Sequence, residues 1–483
     1  MTDLIWIIPL MIGSLLFVLL AIAFVRTFRI PSVPIPRPIR NLDPDREQML
    51  AEKLGKMIRV VTIADKDHPD PAPFLELQQV MASLFPKVFA TMEKTVFPSG
   101  SLLFRWSGAS RENSILLMAH QDVVPAPAEG WKHPPFSGEY ADGEVHGRGT
   151  FDTKGTLFAF FQAAEELIDE GFIPAVDVWL ASSTDEEVMG RGAAETVRWL
   201  RERNIHPALV LDEGGAIVDG VLPSVRRPMA LLGVLEKGYI DLRVVARSHG
   251  GHSSTPPKNT PLARLAKFVV DIEKHSPMKS RMIREVRDLF ANAAPSMGFA
   301  YRFLFGNLWL FRPLLTWLLP KINPYGGALL STTVAFTRAG GSEANNVIPS
   351  EAWLVLNLRP HPIQPMEDSI AAIRKVAGRR GLEVEILEAR DTTPIVDSHS
   401  PAFGFLVDTV RAVFPDVLIS PYVILGGTDA RHYQEICEAT IRFSPLRVTN
   451  ADLKKMHGLN ESIPVDVVDE AVSFYRHLIT HAR

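Results

Sequence analysis

The chain has 483 residues, too many for one compact core and enough for two domains with additions. Its net charge of −4, with 46% hydrophobic and 22% charged residues, fits a globular protein and excludes the strong basic bias of a nucleic-acid binder. A single cysteine, Cys437, rules out an intrachain disulfide and a Cys-based zinc knuckle, so any metal has to be held by His, Asp and Glu.

Residues 4–25 carry no charge. At about 1.5 Å per residue they are long enough to cross a bilayer core of about 30 Å. The other reading is a cleaved signal peptide, but the preceding Thr2 and Asp3 lack positive charge and the run exceeds a typical h-region. A retained single-pass anchor is therefore expected. Arg26, Arg29, Arg37 and Arg40 follow it, which by the positive-inside rule assigns that flank to the cytoplasm, though the charges alone do not fix the side. Residues 26–44 hold Pro31, Pro34, Pro36 and Pro38 and read as a stiff linker.

From residue 45 strands and helices alternate. Residues 113–119, 176–182 and 208–211 read as buried strands, and 154–171 and 190–204 as helices, which predicts an α/β layer architecture. The character changes near Gly233. Strands at 239–246, 331–337, 353–358 and 383–388 and helices at 261–274 and 366–377 follow in the order β-α-β-β-α-β, a split ferredoxin-like pattern. The expected organisation is a catalytic domain formed by 45–232 and 393–483, interrupted by an inserted α+β lid domain at 233–392.

Within that insertion, residues 297–319 are almost wholly apolar, with only Arg302 and Arg312 charged. Gly306 and Pro313 interrupt a run of nearly membrane-spanning length. A second span would split the insertion across the bilayer. The alternatives are a helical hairpin packed on the lid, or an exposed surface for membrane or acyl chain.

The residues that carry chemistry cluster after predicted strands: His120 and Asp122, Asp152, Glu186 and Glu187, Asp212, and His457 near the C-terminus. His120 and Asp122 are two apart, so at a strand end they face the same side. A metal-bound imidazole usually donates its other N–H to a carboxylate, and Asp122 is placed to accept it. Asp152 sits in a Gly-rich loop. Adjacent Glu186 and Glu187 would repel unless a cation or a proton separates their roles, one ligating and one catalysing. Singly, each of these residues reads as ordinary turn or surface chemistry. At successive strand ends they point to a metal site.

The segments MAHQDVVP, WKHPPFSGE, GRGTFDTKG, STDEEVMG, LDEGG, GGHSSTP, NVIP and HGLNES resemble the M20 metallopeptidases over nearly the whole chain from residue 45. GGTDARHY and the apolar N-terminus look most like the carboxypeptidase S and N-fatty-acyl-amino-acid synthase/hydrolase branch. The resemblance implies a zinc-peptidase-like domain with two zinc ions, manganese or cobalt being alternatives. Asp152 would bridge them, His120 and Asp212 would complete one site, and Glu187 and His457 the other. Glu186 would be the general base and Asp122 would orient His120. His252 would stabilise the oxyanion, Asn346 and Arg359 would hold the substrate carboxylate, and Gly427 would let backbone approach substrate. The residue-level alternatives are a turn role for His252 and a structural ion pair for Arg359. Some relatives carry Glu where Asp212 stands, and Asp there favours acylases and peptidases over deacetylases.

The implied reaction is hydrolysis, or reversible formation, of an N-acyl amino acid amide. The apolar insertion directs the expectation to N-fatty-acyl, amphiphilic substrates. The alternatives are a carboxypeptidase or dipeptidase, and a catalytically silent membrane-tethered binding protein. The family's inserted domain often dimerises, and a homodimer is an expected partner state. The sequon-like Asn460-Glu-Ser462 string lies beside His457 and reads as a false glycosylation match.

Overall fold

A computed structural model describes residues 2–31, 42–220, 222, 224–225 and 227–483. Most of the expected proline-rich linker, 32–41, lies outside the described residues.

The larger layer is a ten-stranded mixed sheet. Its centre runs Leu102–Trp106, Val176–Ser182, Ser110–Met118, Leu209–Asp212, Thr440–Arg442 and Met229–Glu236. Ser110–Met118 pairs in parallel with Val176–Ser182 and with Leu209–Asp212, and Leu418–Ile424 pairs in parallel with Met229–Glu236. Every residue of Val176–Ser182 is buried, as expected for a strand covered on both faces. The helix Lys154–Asp169 packs against the C-terminal helix Val465–His481, with Phe158, Phe160 and Phe161 fully buried. The parallel strands end side by side at Met118, Ser182 and Asp212, so the residues that follow them gather at one edge of the sheet.

The smaller unit is a four-stranded antiparallel sheet in the order Thr333–Gly340, Glu351–Arg359, Tyr239–Arg247, Glu383–Arg390. The helices Pro261–Lys274 and Met366–Gly378 cover it, and it has its own core around Leu242, Phe268, Leu356 and Ile373. A two-stranded ribbon, Gly251–His252 with Val347–Ile348, projects from it. The larger sheet continues through Glu236, so residue 233 falls inside a strand and not at a boundary.

The apolar segment packs on the larger layer. The helices Arg284–Ala293, Phe299–Phe305, Leu308–Ile322 and Pro324–Leu330 send Leu289, Phe290, Phe305, Leu315 and Leu330 into the core of the larger layer, and Met297, between the first two helices, joins them. Asn292 Nδ2 donates to the Ile419 carbonyl at 3.2 Å, tying the first of these helices to a strand of the main sheet. A helical pattern shows which residues seek cover but not which layer supplies it.

The N-terminal helix Thr2–Arg29 contains the one candidate span among the described residues, Ile8–Arg29, with mean hydropathy 2.7 and 6% of its window buried. Its last turns dock on the apolar segment. Asn307 is fully buried, and its amide donates to the Ala23 carbonyl at 3.2 Å, Thr27 Oγ1 at 3.1 Å and the Phe303 carbonyl at 2.9 Å. Phe24, Phe28 and Phe299 form a ring cluster with centroids 5.1–5.7 Å apart. Gly306 permits the approach, because a Cβ there would meet Ile30 Cδ1 at 2.4 Å.

Candidate metal centre

His120 and Asp122 follow the strand Ser110–Met118, Glu186 and Glu187 follow Val176–Ser182, and Glu213 follows Leu209–Asp212. Asp152 stands just before the helix Lys154–Asp169, in a loop where Gly149 adopts φ +91° and a Cβ would meet Val123 Cγ1 at 2.7 Å. These pieces bring together two groups of potential ligands, His120–Asp152–Glu213 and Asp152–Glu187–His457, with the ligand atoms of each within 4.8 Å of one another. Asp152 belongs to both. Its Oδ1 lies 3.1 Å from His120 Nε2, and its Oδ2 lies 3.0 Å from His457 Nε2. One carboxylate thus faces each pocket with a separate oxygen, the arrangement that bridges two cations. Glu213 Oε1 is 3.4 Å from His120 Nε2, and Glu187 Oε2 is 3.2 Å from His457 Nε2.

Glu213, and not Asp212, stands in this cluster. Successive residues at a strand end point to opposite sides, so only one of the pair can face His120. The Asp212 carboxylate turns away and accepts the Ala430 amide at 2.7 Å. It holds the Thr428–Asp429–Ala430 turn, where Asp429 accepts from Ser183 Oγ. The residue at this ligand position is thus Glu, so Asp212 carries no preference for acylases and peptidases over deacetylases.

Asp122 is fully buried and works through four contacts with three residues. His120 Nδ1 lies 2.9 Å from its carbonyl and 3.3 Å from its carboxylate, and the two carboxylate oxygens accept the Glu186 and Glu187 amides at 3.2 and 3.0 Å. The same side chain thus restrains a ligand imidazole and the turn that carries the two glutamates.

The electrostatics describe a site short of positive charge. Burial, reinforced by repulsion from Asp152, pushes Glu213 up to about 8. Burial also raises Glu186 well above the usual carboxylate range, with Glu213, Asp429 and Asp152 adding to it against the pull of His120. Asp212 and Asp429 rise to about 6 and about 7, again chiefly through burial. The histidines move the other way. His457 is raised to about 10 by its bonds to Asp152 and Glu187. Burial disfavours the charged form of His120, yet Glu213, Asp122 and Asp152 outweigh it and hold the group well above its ordinary value. A buried oxygen of Glu187, Oε1, has no hydrogen-bond partner among the described residues. An orphaned carboxylate oxygen beside an all-nitrogen-and-oxygen donor set fits a divalent cation, and His and carboxylate donors suit zinc.

Two residues outside the expected set hold the cluster in place. Glu461 is fully buried, and its Oε1 accepts the Phe151 amide at 2.9 Å, the Gly149 amide at 3.1 Å and the Asp152 amide at 3.3 Å. Its Oε2 accepts from Arg148 Nη1 at 2.6 Å, while Arg148 Nη2 donates to the Gly458 carbonyl at 2.7 Å. The pair joins the Asp152 loop to the loop of His457. The HGLNES string was the only sequence signal for Glu461. In the same loop Asn460 Oδ1 accepts the Lys132 amide at 2.7 Å.

The expected substrate residues fall in two places. Arg359 ends its strand with its guanidinium 4.7 Å from the Tyr239 ring centre, and among the described residues no carboxylate pairs with it. Arg390 flanks the same ring at 6.0 Å. A Cβ on Gly427 would lie 3.4 Å from both Arg390 Nη2 and Glu236 Oε2, so this loop meets Arg390 and Glu236 at the junction of the two sheets. His252 and Asn346 sit together on the exposed ribbon, where the Ser253 amide donates to the Asn346 carbonyl at 3.0 Å. His252 Nδ1 lies 2.8 Å from Ser254 Oγ. Among the described residues neither His252 nor Asn346 bonds to the metal cluster.

An edge of parallel strands carrying two adjoining cation pockets around one shared carboxylate defines a candidate metallohydrolase centre. The chain belongs to peptidase family M20/M25/M40, whose model matches residues 116–481. It is 32% identical to the N-fatty-acyl-amino acid synthase/hydrolase PM20D1 of Xenopus tropicalis, covering 97% of this chain and 93% of the relative. It is 34% identical to a probable carboxypeptidase S-like 2 of Dictyostelium discoideum, covering 97% and 92%. The fold is similar to that of the M20 family metallo-carboxypeptidase Sso-CP2 from Sulfolobus solfataricus, with TM-score 0.63 and 17% identity over 91% of this chain and 99% of that one. The chain is thus a hydrolase acting on amide bonds.

Proposed function

We propose that the protein is a membrane-anchored, two-zinc amidohydrolase that cleaves, and by reversal forms, the amide bond of N-fatty-acyl amino acids. The observation that carries this reading is a pairing within one body. The Asp152-centred cluster belongs to the same layer against which an apolar helical surface packs, and that surface is fastened to an apolar N-terminal helix. Leu314, Trp317, Ile322 and Tyr325 of that surface are exposed. A water-soluble dipeptide needs no such surface, whereas a fatty-acyl substrate partitions into the bilayer. The relative at 32% identity bears a name with this activity.

In this reading His120, Asp152 and Glu213 would hold one zinc, and Asp152, Glu187 and His457 would hold the other. Bound there, the pair of cations would lower the pKa of a shared water and polarise the scissile carbonyl. Glu186 takes the proton from the attacking water and delivers it to the leaving amine, a role that a carboxyl raised by burial suits. Asp122 keeps the His120 ring and the Glu186 turn in register. The four-stranded unit serves as the lid: His252 donates to the developing oxyanion, and Arg359 with Asn346 grips the substrate carboxylate, for which a guanidinium free of carboxylate partners is suited. Gly427 leaves room for backbone beside the same group.

A panel of N-acyl glycines and N-acyl phenylalanines of graded chain length, run beside dipeptides on zinc-loaded protein, tests the substrate class. Rising kcat/KM with acyl length supports it. Faster cleavage of dipeptides than of any long-chain N-acyl amino acid favours the carboxypeptidase reading, which the Dictyostelium relative supports. Deleting 297–319 is a poor probe, because Met297, Phe305 and Leu315 belong to the core. Trp309→Ser with Trp317→Ser touches exposed side chains and should weaken long-chain turnover more than short-chain turnover.

A further inference from the structure

A cleft of about 770 Å³ opens between the start of the Arg284–Ala293 helix and the second half of the apolar Leu308–Ile322 helix. It is lined by Arg281, Arg284, Arg287, Arg312 and Lys321, with Trp317 at its wall, and among the described residues no carboxylate lines it. Arg284 is engaged by Asp288 at 3.7 Å, and Lys321 Nζ rests 3.8 Å above the Trp317 ring. Among the described residues no carboxylate pairs with Arg281, Arg287 or Arg312. Cations collected without counter-charges repel one another, so the cleft is built for an anion.

Its place in the fold says which anion. The Leu308–Ile322 helix, one wall of the cleft, is preceded by Asn307, whose amide is bonded to Ala23 and Thr27 of the N-terminal apolar helix. From Trp309 to Trp317 is about 12 Å along the axis at about 1.5 Å per residue, so the cleft lies within a short step of the docked end of that helix. Around it Trp317 is 59%, Ile322 64% and Tyr325 66% exposed. Aromatic and aliphatic side chains beside arginines are the composition of a membrane–water interface, where rings sit at headgroup level and guanidinium forks grip phosphate. Arg26 and Arg29 close the apolar helix with the same sign of charge.

We propose that this cleft binds the phosphate of an anionic bilayer phospholipid, seating the apolar helices on the leaflet that the N-terminal helix leaves. The inference rests on the reading of that helix as a membrane span, and it fixes how the catalytic body faces the surface from which an acylated substrate would enter.

The test uses the full chain in detergent micelles, titrated with phosphatidylglycerol or phosphatidylcholine and read by native mass spectrometry. The expected result is saturable phosphatidylglycerol retention at least tenfold tighter than phosphatidylcholine. Arg281→Gln/Arg287→Gln/Arg312→Gln should weaken it by roughly a hundredfold, three cations at about fivefold each. Arg374→Gln/Lys375→Gln/Arg379→Gln, on an exposed helix face elsewhere, should leave it intact. Hydrolysis of a short-chain substrate reports that both variants fold. The proposal is overturned by equal retention of the two lipids, by an unchanged first variant, or by equal losses in both variants, which would mean bulk charge alone. Displacement of the lipid by submillimolar inorganic phosphate would also overturn it in favour of a soluble phosphate. Resistance of the full chain to alkaline carbonate extraction from phosphatidylcholine vesicles reads the span separately, so failure of the anchor and failure of the cleft are distinguishable.

Discussion

Replacing Glu461 by Gln leaves the side chain nearly the same size but removes the charge that faces Arg148. The two groups are 3% and 0% exposed and 2.6 Å apart. Gln can still offer one oxygen to the amides of Gly149, Phe151 and Asp152, so most of the loss lies in the stranded guanidinium. Breaking a buried pair by neutralising one partner costs roughly 3–5 kcal/mol. The stacking of Arg148 on Trp131, at 5.3 Å, offsets little of that. The same change loosens both the Asp152 loop and the Gly458 turn next to His457, so metal affinity should fall by about ten- to a hundredfold, as for other groups that orient ligands. Urea unfolding of the apoprotein and zinc competition with a chromogenic chelator measure the two effects. The double variant with Arg148→Met should recover part of the stability, since no buried charge is left unpaired. A stability loss under about 1 kcal/mol together with unchanged zinc affinity would refute the assignment of Glu461 as the post that holds the bridging carboxylate.

Glu213→Gln should lose metal from the His120 pocket, while Asp212→Asn should keep it and instead loosen the Thr428–Ala430 turn; metal analysis of the two proteins side by side decides between them. Glu186→Gln should abolish turnover and retain metal, and retained activity would remove Glu186 as the base. Lys237 donates to the carbonyls of Ala328 and Ser331, and burial, with Arg359 adding to it, lowers it to about 7. Its folded value is below the unfolded one of about 10.4, so the native state binds fewer protons between them and this group's contribution to stability rises with pH across that window. Wild type should therefore gain stability relative to Lys237→Met between pH 7 and pH 9 in thermal unfolding, and a flat difference would contradict the burial argument.

The strand ends were legible because each chemical residue follows a run of buried aliphatics, and parallel strands with both faces covered write such runs plainly. The choice between Asp212 and Glu213 was not. Leu209–Asp212 is buried at every position, so no alternation reveals which of two adjacent acids faces the cluster. Glu461 was hidden for a different reason. Its Oε1 binds backbone amides of residues 149, 151 and 152 and its Oε2 binds Arg148, all far away in the chain, and an amide leaves no mark on the sequence. The apolar segment announced a need for cover, but its docking on the main layer and on Ala23 and Thr27 depends on where the chain returns. The basic cleft likewise joins Arg281 and Arg287 to Arg312 and Lys321 across a turn of the chain.

Asp152 turns Oδ1 to His120 and Oδ2 to His457, so the proposed pair of cations would share it. Metal counted per chain in the purified full-length protein, beside Asp152→Ala, tests it most directly. The wild type should carry about two zinc ions and the variant at most about one, weakly held. A single metal in the wild type, or two retained without Asp152, would contradict it.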